Sequence, residues 1–199
     1  MAQVSGLDPP PVFFRKSSGS ISGPTDDVVR PAHVRLLDYE IELGLVIKSG
    51  PAPGTAVPDA DLRDHVAGLV MCNDISARDV QLTKGQFYES KSYPTFTPTG
   101  PRLVLLGGDE LARLSGLRLR LWVNGELKQD GSTADMVFDI PTLVAYVSSV
   151  MTLLPGDVIL TGTPEGVGAL VEHREPVAAG RQEGIAANQE KRVPKFKGK

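Results

Sequence analysis

The fold class follows from the stretch Asp38-Tyr39-Glu40-Ile41-Glu42-Leu43-Gly44-Leu45-Val46-Ile47-Lys48. Apolar side chains alternate along it with Glu40, Glu42 and Gly44, which is the period of two that is typical of a β-strand. Successive side chains of a strand point to opposite faces, so Glu40 and Glu42 fall on the same face. We therefore predict a strand over residues 38–48 that carries two carboxylates side by side.

Other segments also favour a mainly β protein. Apolar residues alternate over 117–123, and Asn124-Gly125 follows, which is the strongest short signal for a two-residue hairpin turn. The apolar runs at 68–72 and 158–161 have the length of buried strands. We therefore assign the chain to the mainly β (α+β) class.

About two helices are predicted beside the strands. Asp59 is a plausible N-cap for the first of them, whose apolar face would be formed by Leu62, Val66 and Leu69. Asp139 is a plausible N-cap for the second. Residues 83–101 contain three prolines and are predicted to form a long loop.

The composition excludes several classes of protein. The 199 residues include 21 basic and 24 acidic side chains without a basic stripe, so no nucleic-acid partner is expected. One cysteine excludes a disulfide framework, and no apolar stretch approaches the ~20 residues of a membrane span. We expect a cytoplasmic protein with no membrane partner. It should form a single domain over 1–199, with flexible ends at 1–10 and 181–199.

Glu40 and Glu42 are candidate metal ligands. Two neighbouring carboxylates repel each other, and a hard cation such as Mg²⁺, Mn²⁺ or Ca²⁺ relieves the repulsion. A solvated pair on an edge strand would show the same spacing, and spacing alone favours that simpler interpretation. Asp74 changes the balance, because it follows an apolar run and should lie at a strand end, where sites are commonly built. Asp74 could instead cap the turn that follows it.

Four further residues could bind a substrate. Arg78 and Gln81 share a face if residues 75–82 are helical, and could direct a guanidinium and an amide at an anion. Lys91 stands in the proline-containing loop, which could place its ammonium near a developing enolate. Thr163 belongs to a glycine-rich turn whose amides could bind a carboxylate. A solvated side chain or an ordinary turn is the simpler interpretation of each.

Several segments together resemble the motifs of the fumarylacetoacetate hydrolase family, in the family's order. They are Asp38-Tyr39-Glu40-Ile41-Glu42-Leu43, Asn73-Asp74-Ile75-Ser76-Ala77-Arg78-Asp79, Ser90-Lys91-Ser92, Val123-Asn124-Gly125-Glu126-Leu127 and LPGDVILTGTPEGVG at 154–168. The resemblance covers residues 11–168. It implies a mixed β-sandwich roll, as in the family's C-terminal domain, and usually a homodimer.

The resemblance also implies a site. A divalent metal, typically Mg²⁺ or Mn²⁺, would be held by Glu40, Glu42 and Asp74. The residues at or near the substrate, by the same match, would be Lys91, Arg78, Gln81 and Thr163. Family members act on 2-oxo or 1,3-dicarbonyl acids by C–C bond hydrolysis, decarboxylation or isomerisation, in small-acid or aromatic catabolism. The metal and Lys91 would stabilise an enolate in each case.

The chain departs from the family pattern near both ends. Hydrolytic members carry an upstream His-x-x-Glu pair on a lid, and no such pair precedes Pro11; residues 178–185 also look shortened. Because only hydrolysis needs an activated water, we expect decarboxylation or isomerisation to exceed hydrolysis. The competing hypothesis is a truncated, non-catalytic homologue that serves as a metal-binding dimer partner.

Overall fold

The computed structural model describes residues 9–172, which include all the predicted site residues. The predictions for residues 1–8, 178–185 and 181–199 lie outside this range. The strands are β1 (Ile21–Ser22), β2 (Leu36–Tyr39), β3 (Ile41–Ile47), β4 (Val66–Asn73), β5 (Ser76–Ala77), β6 (Thr97–Leu105), β7 (Arg118–Val123), β8 (Glu126–Ser132), β9 (Val158–Leu160) and β10 (Gly168–Glu172). The helices are α1 (Leu62–His65), α2 (Arg78–Thr83), α3 (Tyr88–Lys91), α4 (Gly108–Leu111) and α5 (Ile140–Val150).

The strands form three sheets. A five-stranded sheet has the order β1-β6-β4-β3-β9, a three-stranded sheet the order β10-β2-β5, and β7 pairs with β8. The β1–β6 pair is parallel and the other pairs are antiparallel. The mainly β class and the mixed β-sandwich roll are therefore confirmed. None of the helices among residues 9–172 has the length and apolar character needed to cross a bilayer.

The strand predicted over 38–48 is two strands in different sheets. β2 belongs to the three-stranded sheet and β3 to the five-stranded sheet, and the chain crosses between them at Glu40. The crossing is stable because the Glu40 amide donates to Asn73 Oδ1 at 2.9 Å in place of a ladder bond. The prediction of one continuous strand is therefore wrong at Glu40.

A second crossing lies beside the first. β4 belongs to the five-stranded sheet and β5 to the three-stranded sheet, so the chain changes sheets at residues 74–75. The Asp74 amide donates to the Glu40 carbonyl oxygen at 2.8 Å, which ties the two crossings together. Glu40 and Asp74 therefore meet at the junction of the two sheets.

The helix predicted from Asp59 is wrong in its extent. A 3₁₀ turn spans Asp59–Asp61 and α1 ends at His65, while Val66 and Leu69 belong to β4. Their pairing with β3 outweighs the local helical spacing, because burial between strands stabilises more than propensity does. The loop predicted over 83–101 likewise contains α3 and the first half of β6.

The predicted hairpin turn and the Asp139 cap are confirmed, whereas the Asp59 cap is wrong, because Asp59 lies inside the 3₁₀ turn and no side chain caps that turn or α1. Asn124 and Gly125 have φ values of 54° and 81° in the turn between β7 and β8, as a type I′ turn requires. The Asp139 carboxylate accepts a hydrogen bond from the Thr142 amide at 2.9 Å and caps α5. One core cluster joins β3, α1, β7 and α5 through Leu45, Leu62, Leu121 and Val144.

Candidate metal centre

Three buried carboxylates meet at the junction of the sheets. Glu40, Glu42 and Asp74 each offer an oxygen, and these oxygens all lie within 4.8 Å of one another. The three residues are 7%, 4% and 2% exposed. The interpretation of Glu40 and Glu42 as a solvated edge pair is excluded by this burial.

Lys91 lies between two of these carboxylates. Its Nζ donates to Glu40 Oε2 at 2.8 Å and to Asp74 Oδ2 at 2.6 Å. The residue is the last of α3, is only 2% exposed, and places its ammonium 5.4 Å from the centre of the Phe14 ring. The solvated interpretation of Lys91 is therefore wrong, and its ammonium is fixed in the cluster.

A second lysine, Lys16, reaches the cluster and is missed by the sequence analysis. Its Nζ donates to Asp74 Oδ1 and, at 3.1 Å, to the Phe96 carbonyl oxygen. Burial lowers the pKa of Lys16, although the charge of Asp74 opposes that shift. The available signal was the aromatic residue Phe14 nearby, which indicates a segment packed against the core rather than a solvated loop.

Arg78 and Gln81 lie beside Glu40 on α2. Arg78 donates from Nη2 to Glu40 Oε1 at 2.5 Å, from Nε to Asp38 Oδ2 at 2.6 Å, and from Nη1 to Gln81 Oε1. The Ser76 hydroxyl donates to the same Glu40 oxygen at 3.2 Å. The guanidinium thus orients the Glu40 carboxylate, and Gln81 in turn orients the guanidinium.

The predicted glycine-rich turn contacts Glu42. The Gly162 amide donates to Glu42 Oε2 at 2.7 Å. Burial, and secondly the charge of Asp74, raise the pKa of Glu42 to about 8, and the Gly162 hydrogen bond opposes this. The amide of this turn therefore binds a carboxylate of the protein itself.

Thr163 follows directly and is half-buried. Its hydroxyl accepts a hydrogen bond from Gln129 Nε2 at 2.8 Å. Gln129 is also missed by the sequence analysis, although it pairs with Leu121 across the hairpin and so occupies a core-facing position. The signal that could have identified Gln129 was a polar side chain at a position of the hairpin that faces the apolar core.

The donor set fits a hard divalent cation. Carboxylate oxygens are the ligands that Mg²⁺, Mn²⁺ and Ca²⁺ prefer, and three of them converge here out of contact with bulk water. Burial is the main cause of the raised pKa of Glu42, and the charges of Asp74 and Glu40 add to it, so the charged form of Glu42 lacks full compensation from the neighbouring cations. A cation at this point would relieve the remaining repulsion.

Known proteins are similar over most of the chain. The oxaloacetate tautomerase FAHD1, mitochondrial, of Rattus norvegicus is 41% identical over 83% of this chain and 74% of its own length. The oxaloacetate tautomerase FAHD2A, mitochondrial, of Homo sapiens is 43% identical over 79% of this chain and 49% of its own length. The chain thus spans only about half of the human relative.

Solved structures agree with this result. The 5-carboxymethyl-2-hydroxymuconate delta-isomerase from Mycobacterium smegmatis has a TM-score of 0.72 and 42% identity, over 80% of this chain and 61% of its own. The maleylpyruvate hydrolase from Sphingobium sp. SYK-6, in complex with manganese (II) ion and pyruvate, has a TM-score of 0.69 and 39% identity, over 85% of this chain and 59% of its own. The family model described as fumarylacetoacetate (FAA) hydrolase C-terminal matches residues 2–191. This chain therefore belongs to the fumarylacetoacetate hydrolase family.

Proposed function

We propose that this chain is a divalent-metal-dependent enzyme acting on 2-oxo or 1,3-dicarbonyl acids. The observation that carries the proposal is the buried group of Glu40, Glu42 and Asp74, with Lys91 between two of its members. Support comes from the relatives, whose names specify oxaloacetate, maleylpyruvate and a hydroxymuconate, and from the neighbour that was crystallised with manganese and pyruvate.

Glu40, Glu42 and Asp74 would hold the metal, with Mg²⁺ or Mn²⁺ as the first candidates and Ca²⁺ as a further one. When bound, such a cation supplies Lewis acidity toward the oxygens of a 2-oxo acid. Arg78 keeps the Glu40 carboxylate in place, and the Gly162 amide keeps Glu42 in place. Lys91 holds Asp74, so all three residues are oriented before any cation arrives.

Lys91 would act on the substrate itself. Its ammonium is held by two carboxylates in a water-poor site, where a fixed positive charge stabilises negative charge on a reacting oxygen far more than it would in water. Lys16 offers a second ammonium, and its lowered pKa means that it releases a proton more readily than a solvated lysine. Arg78, Gln81 and Thr163 would line the substrate side, as the family resemblance implies.

We propose enol–keto tautomerisation of a 2-oxo acid as the first reaction to test. In this reaction one proton leaves and another arrives, and no water is consumed. Two relatives with at least 41% identity are named oxaloacetate tautomerases. Decarboxylation and hydrolysis of the same class of acid are the alternatives, and they are to be measured beside it.

Metal binding is the first experiment. Calorimetric titration with Mn²⁺ should show one site in the parent, and Asp74→Asn should weaken it at least about tenfold, because a ligand oxygen loses its charge. Asp130→Asn, which alters an exposed carboxylate of the hairpin, is the matched control and should bind as the parent does. Equal binding by the parent and Asp74→Asn would refute the proposed site.

Turnover is the second experiment. With Mn²⁺ present, ultraviolet absorbance should follow the loss of enol-oxaloacetate, and Lys91→Met should lower kcat by about 10²–10³-fold while Mn²⁺ still binds. Oxaloacetate decarboxylation and acylpyruvate hydrolysis belong in the same panel. Bound metal without turnover of any acid would favour the non-catalytic homologue instead.

Homodimer formation and the cytoplasmic location stay predictions. Analytical sedimentation of the purified chain would test whether it forms a homodimer.

A further inference from the structure

Gln129 joins three separate parts of the molecule. Its Oε1 accepts a hydrogen bond from the Ile41 amide at 2.9 Å, and its Nε2 donates to Thr163 Oγ1 at 2.8 Å and to the Pro164 carbonyl oxygen at 2.9 Å. The residue is 1% exposed, and both amide hydrogens have a partner. This side chain therefore ties the hairpin, the beginning of β3 and the glycine-rich turn to one another.

Both ends of this link adjoin the candidate metal centre. Ile41 stands between two of the three carboxylate residues, and the turn that contains Thr163 also supplies the Gly162 amide to Glu42. The connection is thus a closed ring that runs from β3 through Gln129 to the turn, and back through Gly162 to Glu42. A shift of the turn would remove the one donor to that Glu42 oxygen found among residues 9–172.

The backbone of β8 lies directly against the turn on both sides of Gln129. A Cβ atom at Gly131 would come within 2.3 Å of Pro164 Cβ, and one at Gly166 within 2.1 Å of the Lys128 carbonyl oxygen. Gly166 also has a φ of 94°, which glycine adopts without strain. The turn and β8 are therefore packed too closely for a side chain at either glycine.

We propose that Gln129 is a positioning residue for the candidate metal centre. It holds the turn over residues 161–166 so that the Gly162 amide stays on Glu42 and Thr163 stays beside the substrate. Only a primary amide supplies one acceptor and two donors here; a carboxylate would oppose the Pro164 carbonyl, and an apolar side chain would leave buried groups without partners. The inference rests on the proposed function, since it assigns a role at that same site.

Amide hydrogen exchange in the metal-free protein tests the link without any cation. In Gln129→Met, the Ile41 and Gly162 amides should exchange about tenfold faster than in the parent, because Ile41 loses its acceptor and the turn that holds Gly162 on Glu42 is released. In Gln129→Glu, which keeps the acceptor, only Gly162 should change. The Ile47 amide, which donates to the Asp157 carbonyl oxygen outside the turn, is the internal reference.

A structural control separates positioning from general loss of stability. Thr133→Val removes another buried hydroxyl, which donates to the Leu114 carbonyl at 2.5 Å, away from the turn. It should lower the Tm but leave the ratio of the Gly162 exchange rate to that of the reference amide as it is in the parent. If Gln129→Met does not fold, Thr163→Val removes one of the two hydrogen bonds that Gln129 makes to the turn and should also speed Gly162 exchange.

Mn²⁺ affinity is the second readout. Gln129→Met should bind Mn²⁺ about five- to tenfold more weakly, and Thr133→Val as well as the parent does. Unchanged Gly162 exchange overturns the inference, as does equal Mn²⁺ binding by the parent and Gln129→Met. If the parent itself binds no Mn²⁺, the proposed function fails and so does the metal-centre role, whereas faster Gly162 exchange would still show that Gln129 holds the turn.

Discussion

Two groups of ion pairs have similar distances and opposite surroundings. On the hairpin, Arg118 Nη2 lies 2.5 Å from Asp130 Oδ2, and the arginine side chain is 60% exposed. At the junction of the sheets, Lys91 Nζ lies 2.6 Å from Asp74 Oδ2, and neither side chain is more than 3% exposed. Water and salt screen the first pair and scarcely reach the second. The strength of these two interactions is therefore determined by burial rather than by the distance between the charged atoms.

The difference in burial also indicates which ion pairs serve stability and which serve function. Removing charged groups from water costs free energy that ion pairing seldom repays, so a buried cluster of carboxylates and lysines is a poor way to stabilise a fold. The hairpin pair costs little and contributes little. A charged cluster that is retained in spite of its cost is typical of a binding or catalytic site.

Breaking the buried cluster should have the largest effect. Lys91→Met leaves Glu40 and Asp74 without their shared cation, and we expect the free energy of unfolding of the metal-free protein to fall by about 3–5 kcal/mol. Urea unfolding in EDTA measures this, and added Mn²⁺ should restore part of the loss. Lys48→Met, at an exposed lysine, is the control. A loss as small as that of the control would mean that burial does not distinguish the cluster.

Changing pH should have an intermediate effect, through Glu42. Its pKa of about 8 lies above the ordinary 4.5, so the folded protein keeps a proton that the unfolded chain releases. The free energy of unfolding without metal should therefore fall as pH rises from about 4.5 to about 8, and Glu42→Gln should remove this part of the fall. Thermal unfolding in EDTA between pH 5 and pH 9, roughly that interval, should show the Tm of Glu42→Gln rising relative to the Tm of the parent as the pH increases. Parallel curves for the two proteins would contradict the assignment.

Breaking the exposed pair should have the smallest effect. Asp130→Asn removes the carboxylate that Arg118 contacts, and we expect a change in Tm of less than about 2 °C, because solvent replaces the lost partner. Differential scanning calorimetry at low and high salt measures it. A change comparable with that of Lys91→Met would show that exposure is not what separates the two groups.

Local chemistry made part of the fold predictable. The Asn124-Gly125 turn and the Asp139 cap act through neighbours in sequence, and both were correct. The helix from Asp59 failed because Val66 and Leu69 are held by a strand distant in sequence, and the break at Glu40 arises from the Asn73 side chain. Local residue patterns do not predict contacts between segments that are distant in the sequence.

The site was predictable only to a similar extent. The motifs around Glu40, Glu42, Asp74 and Lys91 pointed to residues that the structure brings together, and their roles stay predictions. Lys16 was missed because Phe14 indicates only that its segment packs against the core, and the partner, Asp74, is 58 residues away in the sequence. Gln129 was missed because the hairpin register, which places it opposite Leu121, was not used.

The paired crossings of the chain between two sheets have one more consequence. Glu40 and Asp74 sit where the chain passes from one sheet to the other, so their separation is set by how the sheets pack. Cations of different radius require different ligand spacings. We therefore expect ion preference in this protein to be adjustable from its apolar interior, by substitutions such as Leu37→Ile that leave every charged side chain untouched.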